Sequence, residues 1–436
     1  MSVIKRSTFL RRMGYIATSG LISPFLSNLY GKELKIINKK NITTISEVFI
    51  SKNGNPKTNM EKVIEMAGGI NNFISYNDIV IIKPNLQWGF QGYTHTLATK
   101  TLIEIILNKP GGFGGEIIIS EDHTNFDDET KGWNASPEYR FHNWADMNYR
   151  ELIEYFHDHG DNNVSAVPIS SKIIKGPEEG EGYVINYYTT QNNLNGDLLR
   201  VRLGYPIIRS PYSGKIIDTK NGVLSNGNYI DQKVKIIFLP TLNYHGNYAG
   251  ITSAIKSHLG FIPLGGGSQE YYSVHTYSSE YSLFRPDELN KPFEVGECIG
   301  ELITSVIKPT LYITVAEYSG NYGRINKNAA HTKTIGLCKE PVSLDYWMGK
   351  NVICPSGGTA ADYNPANDNV FRQIILGCNS KGIGTLDENN MLVHLYDHDN
   401  PQTTKIDIEE KIRLFKEGKA TESEIMEMIE NYMKGN

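Results

Sequence analysis

Four short polar segments stand directly after four apolar runs, and their residue types are those that hold anions or move protons. Lys83-Pro84-Asn85 follows the run 78–82, Glu121-Asp122-His123 follows 116–120, Thr241 to His245 follows 234–240, and Glu317-Tyr318-Ser319-Gly320-Asn321 follows 311–315. In an open parallel sheet ligands bind beyond the carboxyl ends of the strands, so these four ends are expected to converge on one crevice. Lys83 is a compact cation that holds a carboxylate or phosphate, or acts as a base if burial lowers its pKa; a solvated lysine or a structural ion pair is the alternative. Lys256 is read on a helix over about 249–259, one turn from Thr252, and a start near Tyr248 would turn early amides toward the crevice. His245 and His258 titrate near neutral pH and are candidate proton carriers, with hydrogen-bonded structural roles as the alternative. Glu317 or Glu121 is a candidate general base or metal ligand, against a helix cap or surface carboxylate. The expectation is therefore catalysis by Lys83, His245 and Glu317, with Asn85, Lys256, His258 and Glu121 holding a ligand.

Other patterns exclude chemistries. His123 beside Asp122, and His157-Asp158-His159, lack recognisable ligand spacing, so no metal is assigned, and the second group reads as a polar helix end. Cys298, Cys338, Cys354 and Cys378 are 40, 16 and 24 residues apart without a CxxC pair, which argues against a cysteine-ligated iron–sulfur cluster or zinc site. Disulfides and buried free thiols both stay open. The Gly-rich stretches at 111–115 and 265–267 do not follow a strand in phosphate-loop fashion, and no Gly-x-Ser-x-Gly elbow occurs.

The elements that must position these residues follow from periodicity. Asn59 before Met60, Val63, Ile64 and Met66 predicts a capped helix ending at Gly68-Gly69. The apolar runs at 78–82 and 116–120 read as strands buried on both faces, joined through a helix at 96–108 and a Pro110-Gly111-Gly112 turn. A helix near 146–158 and a strand near 164–168 continue this βαβ pattern. Short alternating stretches among Gly, Asn, Ser and Pro from 170 to 230 predict β-hairpins inserted into the main sheet. Strand 234–240, helix 294–306 and strand 311–315 follow, and charged amphipathic helices close the chain. The fold class is thus α/β: a mostly parallel sheet flanked by helices, with a β-hairpin-rich insertion.

With these segments placed, the chain resembles the family catalogued as domain of unknown function 362. The resemblance is carried by Ile81-Ile82-Lys83-Pro84-Asn85-Leu86, by Ile237-Phe238-Leu239-Pro240 with His245, by the stretch from Ile251 to Gly260, by Glu317 with Gly320, and by Pro341-Val342-Ser343-Leu344-Asp345. It spans roughly 75–350. Thr241 and Asn243 stand where the family's segment has two lysines, so the resemblance implies two fewer cations around any anion. Some relatives carry ferredoxin-like cysteine motifs; this chain has none, and an electron-transfer role inferred from them does not carry over.

Composition bounds the setting. The 436 residues are 39% hydrophobic and 21% charged, as in globular proteins rather than disordered chains or membrane bundles. Lys5, Arg6, Arg11, Arg12 and Lys32 stand against Glu33 in residues 1–33, so the whole chain carries −5 and the remainder about −9, which argues against nucleic acid as a partner. That basic stretch, followed by a short apolar one over 13–26, reads as an export signal that is too short for a lasting membrane span. Arg6 with Phe9-Leu10 is twin-arginine-like, with Ser7 at the second arginine's place. The expected division is 1–33 signal, 34–405 body with the insertion at 170–230, and 406–436 helical tail, in a periplasmic or extracellular protein. Its expected function is to bind a small anionic or polar ligand, with proton transfer or lyase-type chemistry if it is an enzyme. A non-catalytic periplasmic binding or accessory protein, and a redox partner, are the alternatives.

Overall fold

The computed structural model describes residues 45–122, 126–140, 147–191, 196–275, 280–284, 291–325, 328–400, 412–415, 419 and 421–435. The expected export signal and His123 lie outside the described residues. Residues 45–402 form one unit, and 1–44 with 403–436 form another. In the second unit, helix Glu422–Gly435 is opened by Thr421, whose amide and hydroxyl donate to the Glu424 carboxylate at 2.6 and 2.8 Å. No helix among the described residues is long and apolar enough to cross a membrane.

The body is α/β. Eight strands make the main path of its large sheet: Ser46–Lys52 (β1), Ile79–Pro84 (β2), Glu116–Asp122 (β3), Val164–Ile169 (β4), Val234–Leu239 (β5), Leu311–Gly320 (β6), Ala330–Cys338 (β7) and Met391–Asp397 (β8). Their order is β8-β1-β7-β6-β5-β2-β3-β4, and the short pair Thr241–Tyr244 and Ile251–Thr252 is attached beside β6. Strands β6, β5, β2, β3 and β4 run parallel, β8 is parallel to β1, and β7 alone opposes both its neighbours. Every residue of β2, β3 and β6 is buried, as a parallel sheet covered on both faces requires. From β2 the chain proceeds to β3 and β4 on one side, whereas from β5 it proceeds to β6 on the other. The strand order therefore reverses between β2 and β5, where Lys83 lies opposite Phe238 and Pro84 opposite Leu239.

Helices Pro56–Met66 (α1), Thr96–Leu107 (α2) and Tyr149–Asp158 (α3) connect the first strands. The cap of α1 is Asn55, not Asn59: Asn55 and Thr58 form a reciprocal capping box, and Pro56 fits the first turn, where its missing N–H costs nothing. Asn59 is instead buried inside the helix and donates to the carbonyls of Gly54 and Lys333 at 3.2 and 3.0 Å.

The helix expected over 249–259 does not form. Gly250, at φ +66, turns the chain into strand Ile251–Thr252, a single helical turn Ala254–Ser257 (α4) follows, and a 3-10 turn runs on to Phe261. Thr252 is therefore not on a helix with Lys256.

Three further helices follow, Pro292–Glu301 (α5), Pro341–Met348 (α6) and Val370–Asn379 (α7); α6 packs on β1, β6 and β7 of the large sheet, and α5 packs against α7. Glycines let α5 and α7 approach closely: a Cβ on Gly377 would stand 1.9 Å from the Phe293 carbonyl, and one on Gly296 1.9 Å from that of Ile374.

The segment expected as hairpins within the main sheet builds a sheet of its own. Strands Ile173–Ile174, Gly182–Gln191, Leu198–Arg209, Ile216–Asp218, Gly222–Ser225 and Asn228–Ile230 are joined there by Tyr272–Ser273. Buried Glu116 ties this sheet to β3 by accepting from Ser210 and, at 2.7 Å, from Ser213. Glu297 of α5 ties its other side by accepting from Thr190, from Tyr188 at 3.1 Å and from Lys381 at 3.0 Å.

Candidate functional site

Where β2 and β5 part, a crevice opens beyond their carboxyl ends. Lys83 and Asn85 come from the end of β2, Glu121 from β3, Thr241, Asn243 and His245 from the segment after β5, and Lys256 from α4. Thr252, Trp88, Arg324 and His275 complete the working part of the wall. The reversal explains the place: neighbouring strands whose connections leave in opposite directions leave the space between them uncovered.

Short polar tethers hold the mouth. The Thr94 hydroxyl accepts from the Asn85 amide at 2.9 Å and donates to the Leu239 carbonyl at 2.7 Å, pinning the ends of β2 and β5 together. Thr241 and Asn243 both donate to the Gln91 carbonyl, at 3.2 and 3.1 Å, and Asn243 accepts from the Gly320 amide at 2.9 Å. Both side chains thus fix the loops that carry Trp88 and Arg324. Arg324 lies over the Trp88 ring, 4.2 Å from its centroid.

At the floor, Lys83 and Glu121 form an ion pair of 2.7 Å, each 1% exposed, and Lys83 also donates to Ser257 at 3.3 Å. Burial lowers the Lys83 pKa and raises that of Glu121 to about 7, while each partner opposes the other's shift. A Cβ at position 260 would fall 1.7 Å from Glu121 Oε1 and 2.9 Å from Lys83 Nζ, so Gly260 is what lets α4 and its 3-10 turn close over the pair.

The cations above it are arranged differently. Lys256 is partly exposed as a residue, yet its amine lies deep, 5.6 Å from the Phe284 ring, and no carboxylate among the described residues lies within ion-pair distance. Burial, then Arg324 and Lys83, hold its pKa well below the usual lysine value. The turn that carries Lys256 is fixed by Asp345 of α6, whose two carboxylate oxygens accept from the amides of Ala254 and Ile255 at 2.7 and 2.9 Å. Those amides are therefore occupied, and α4 turns no free N-terminus toward the crevice. Burial raises Asp345 to about 7 despite these bonds.

Arg324 donates to His245 Nδ1 at 3.3 Å. An arginine only donates, so this ring nitrogen accepts and the neutral ring carries its proton on Nε2. Burial first, then Lys256 and Arg324, keep His245 well below the usual histidine pKa, and His275 is lowered by burial and by Lys256. Asn85 Oδ1, Thr252 Oγ1 and Arg324 Nε are buried without a hydrogen-bond partner in the described structure. Three orphaned polar atoms on one wall mark a surface suited to a polar ligand.

Five of the seven expected site residues, Lys83, Asn85, Glu121, His245 and Lys256, thus line one crevice, and two stand elsewhere. His258 is buried against Phe238, donates from Nδ1 to the Ile255 carbonyl at 3.0 Å and accepts at Nε2 from Tyr312 at 3.1 Å. Glu317 does not lie at a strand end: β6 continues to Gly320, and Glu317 accepts from His331 of β7 at 2.8 Å. Lys83 sits in the alternative role weighed for it, a structural ion pair. Arg324, His275, Trp88 and Asp345 were not among the expected site residues. Arg324 follows a Gly-Asn turn just past β6, and that turn was the available signal; His275 follows no strand of the main sheet. The described residues contain no group of three or more His, Cys, Asp and Glu able to hold a metal ion.

Comparison with protein-family models, with curated proteins and with solved structures finds no match to this chain.

Proposed function

We propose that the chain binds a small anion, a carboxylate or phosphate compound, in the crevice at the strand-order reversal. The observation that carries this reading is Arg324. Its guanidinium is permanently protonated, faces the crevice beside Lys256, and has no carboxylate partner among the described residues, whereas Lys83 is already neutralised by Glu121. An anion there gains charge-assisted hydrogen bonds in a half-desolvated setting, with the Thr252 hydroxyl free to donate a further one. The two lysines that the resembled family carries where Thr241 and Asn243 stand are not needed, because Arg324 and Lys256 reach the same space from other elements. Neutral His245 and His275 beside a depressed lysine supply the groups for proton transfer, which favours an enzyme over a passive binder.

The test is thermal stabilisation by inorganic phosphate, acetate and lactate. Arg324→Ala is expected to weaken the stabilising anion's affinity by about tenfold or more, the loss of one charge-assisted contact. Equal stabilisation of wild type, Arg324→Ala and Lys256→Ala would place the anion elsewhere and end this reading.

A further inference from the structure

The two lysines of the crevice differ in a way that anion binding alone does not use. Lys83 has Glu121 at 2.7 Å and the Ser257 hydroxyl at 3.3 Å, an arrangement that holds an ammonium in place. Lys256 has no carboxylate and no hydrogen-bond partner among the described residues, and its charged neighbours in the crevice include Arg324 and Lys83. Its protonated form is favoured by the Phe284 ring, at 5.6 Å, and by the charge of Glu121, which is already paired with Lys83. Its turn is nonetheless held rigidly, by Asp345 on two amides and by Ser257 on Lys83. A rigidly placed amine beside a permanent cation, without a counter-ion, is built to be a nucleophile rather than a charge.

We propose that Lys256 forms a Schiff base with a small carbonyl compound whose own anionic group is held by Arg324, the simplest class being short 2-oxo acids. This deepens the anion-binding reading and rests on it. The Lys256 nitrogen lone pair attacks the carbonyl carbon, a C–N bond forms, and the C=O π electrons pass to oxygen, which takes up a proton. The carbinolamine then loses that oxygen as water as the C=N bond forms, so the amine's two hydrogens leave with it. The net change is carbonyl plus amine to imine plus water, with no oxidant or reductant required. His245 and His275, both neutral, stand in the same wall and are the groups able to relay the proton. The substantially lowered pKa of Lys256 supports the assignment, since only the free amine attacks.

The experiment is borohydride trapping on the full chain with pyruvate as the carbonyl probe and lactate as its carbonyl-free counterpart. Hydride adds to the imine carbon and a proton to nitrogen, leaving a stable secondary amine that peptide mass mapping locates. The expected result is one adduct on Lys256 that requires pyruvate and borohydride together. It is absent with lactate and in Lys256→Arg, and reduced about tenfold or more in Arg324→Ala, where the anion anchor is gone. No adduct on Lys256, or an adduct confined to other lysines, overturns the proposal. If pyruvate and lactate both stabilise the fold and neither is trapped, the Schiff base fails and the anion site stands. If neither stabilises it and nothing is trapped, both fail.

Discussion

A histidine that donates to a carbonyl and accepts from a tyrosine has no room for a second proton, and His258 is such a residue. Its pKa is lowered to about 3, chiefly by burial, against about 6.5 for an unfolded chain. The unfolded state therefore binds a proton that the native state refuses, so the stability owed to neutral His258 is complete above pH 6.5 and is lost as pH falls toward 3. Between pH 7 and pH 5 this removes about 2 kcal/mol. Buried Glu121 and Asp345 act in the opposite direction, because the native state protonates them first, so the wild-type curve mixes the effects. Comparing urea unfolding of wild type and His258→Gln isolates the histidine: the stability gap between them is expected to shrink by about 2 kcal/mol from pH 7 to pH 5. A constant gap would mean that His258 does not titrate in this way. Lys83, Asn85, Glu121 and His245 were readable because each lies within five residues of the end of an apolar run. His258 misled because its residue type suggests chemistry, and only its place between Phe238 and Tyr312 shows otherwise.

Helices α5 and α7 illustrate what periodicity does and does not reveal. The apolar spacing near 294–306 marked a helix, but its partner Val370–Asn379 went unread, and so did the purpose of the glycines between them. Replacing Gly377 with alanine gains about 1 kcal/mol of helix propensity. It also places a methyl 1.9 Å from a backbone carbonyl that cannot rotate away, and overpacking of this kind costs about 1–3 kcal/mol. The clash wins because two helices must separate to relieve it. Gly377→Ala is expected to lower the denaturant midpoint, whereas a raised midpoint would show that the helices are not tightly apposed. Strand β6 makes a related point. Its polar residues 317–319 interrupt the apolar run that marks a strand in the sequence, and pairing with antiparallel β7 is what keeps that stretch extended.

At the scale of the molecule, the α/β class and the parallel centre of the sheet were legible, since doubly buried strands read as continuous apolar runs. The separate second sheet was not, because short alternating strands give no indication of which sheet they join. All four cysteines are free and buried, and burial raises their thiols, Cys338 and Cys354 to about 12. A reductant such as dithiothreitol is therefore expected to leave the melting temperature unchanged. An aromatic disulfide reagent should titrate the four thiols only after unfolding. Rapid reaction of any of them in the native protein would contradict the packing described.

The strand Tyr272–Ser273 pairs in parallel with Val201-Arg202 of the second sheet, and His275, two residues further on, is a wall of the crevice. The Lys83–Glu121 floor thus belongs to the parallel sheet, while one flank of the crevice is suspended from the second sheet. Substitutions in the second sheet therefore shift that flank, and with it the width of the crevice, without touching the ion pair at its floor.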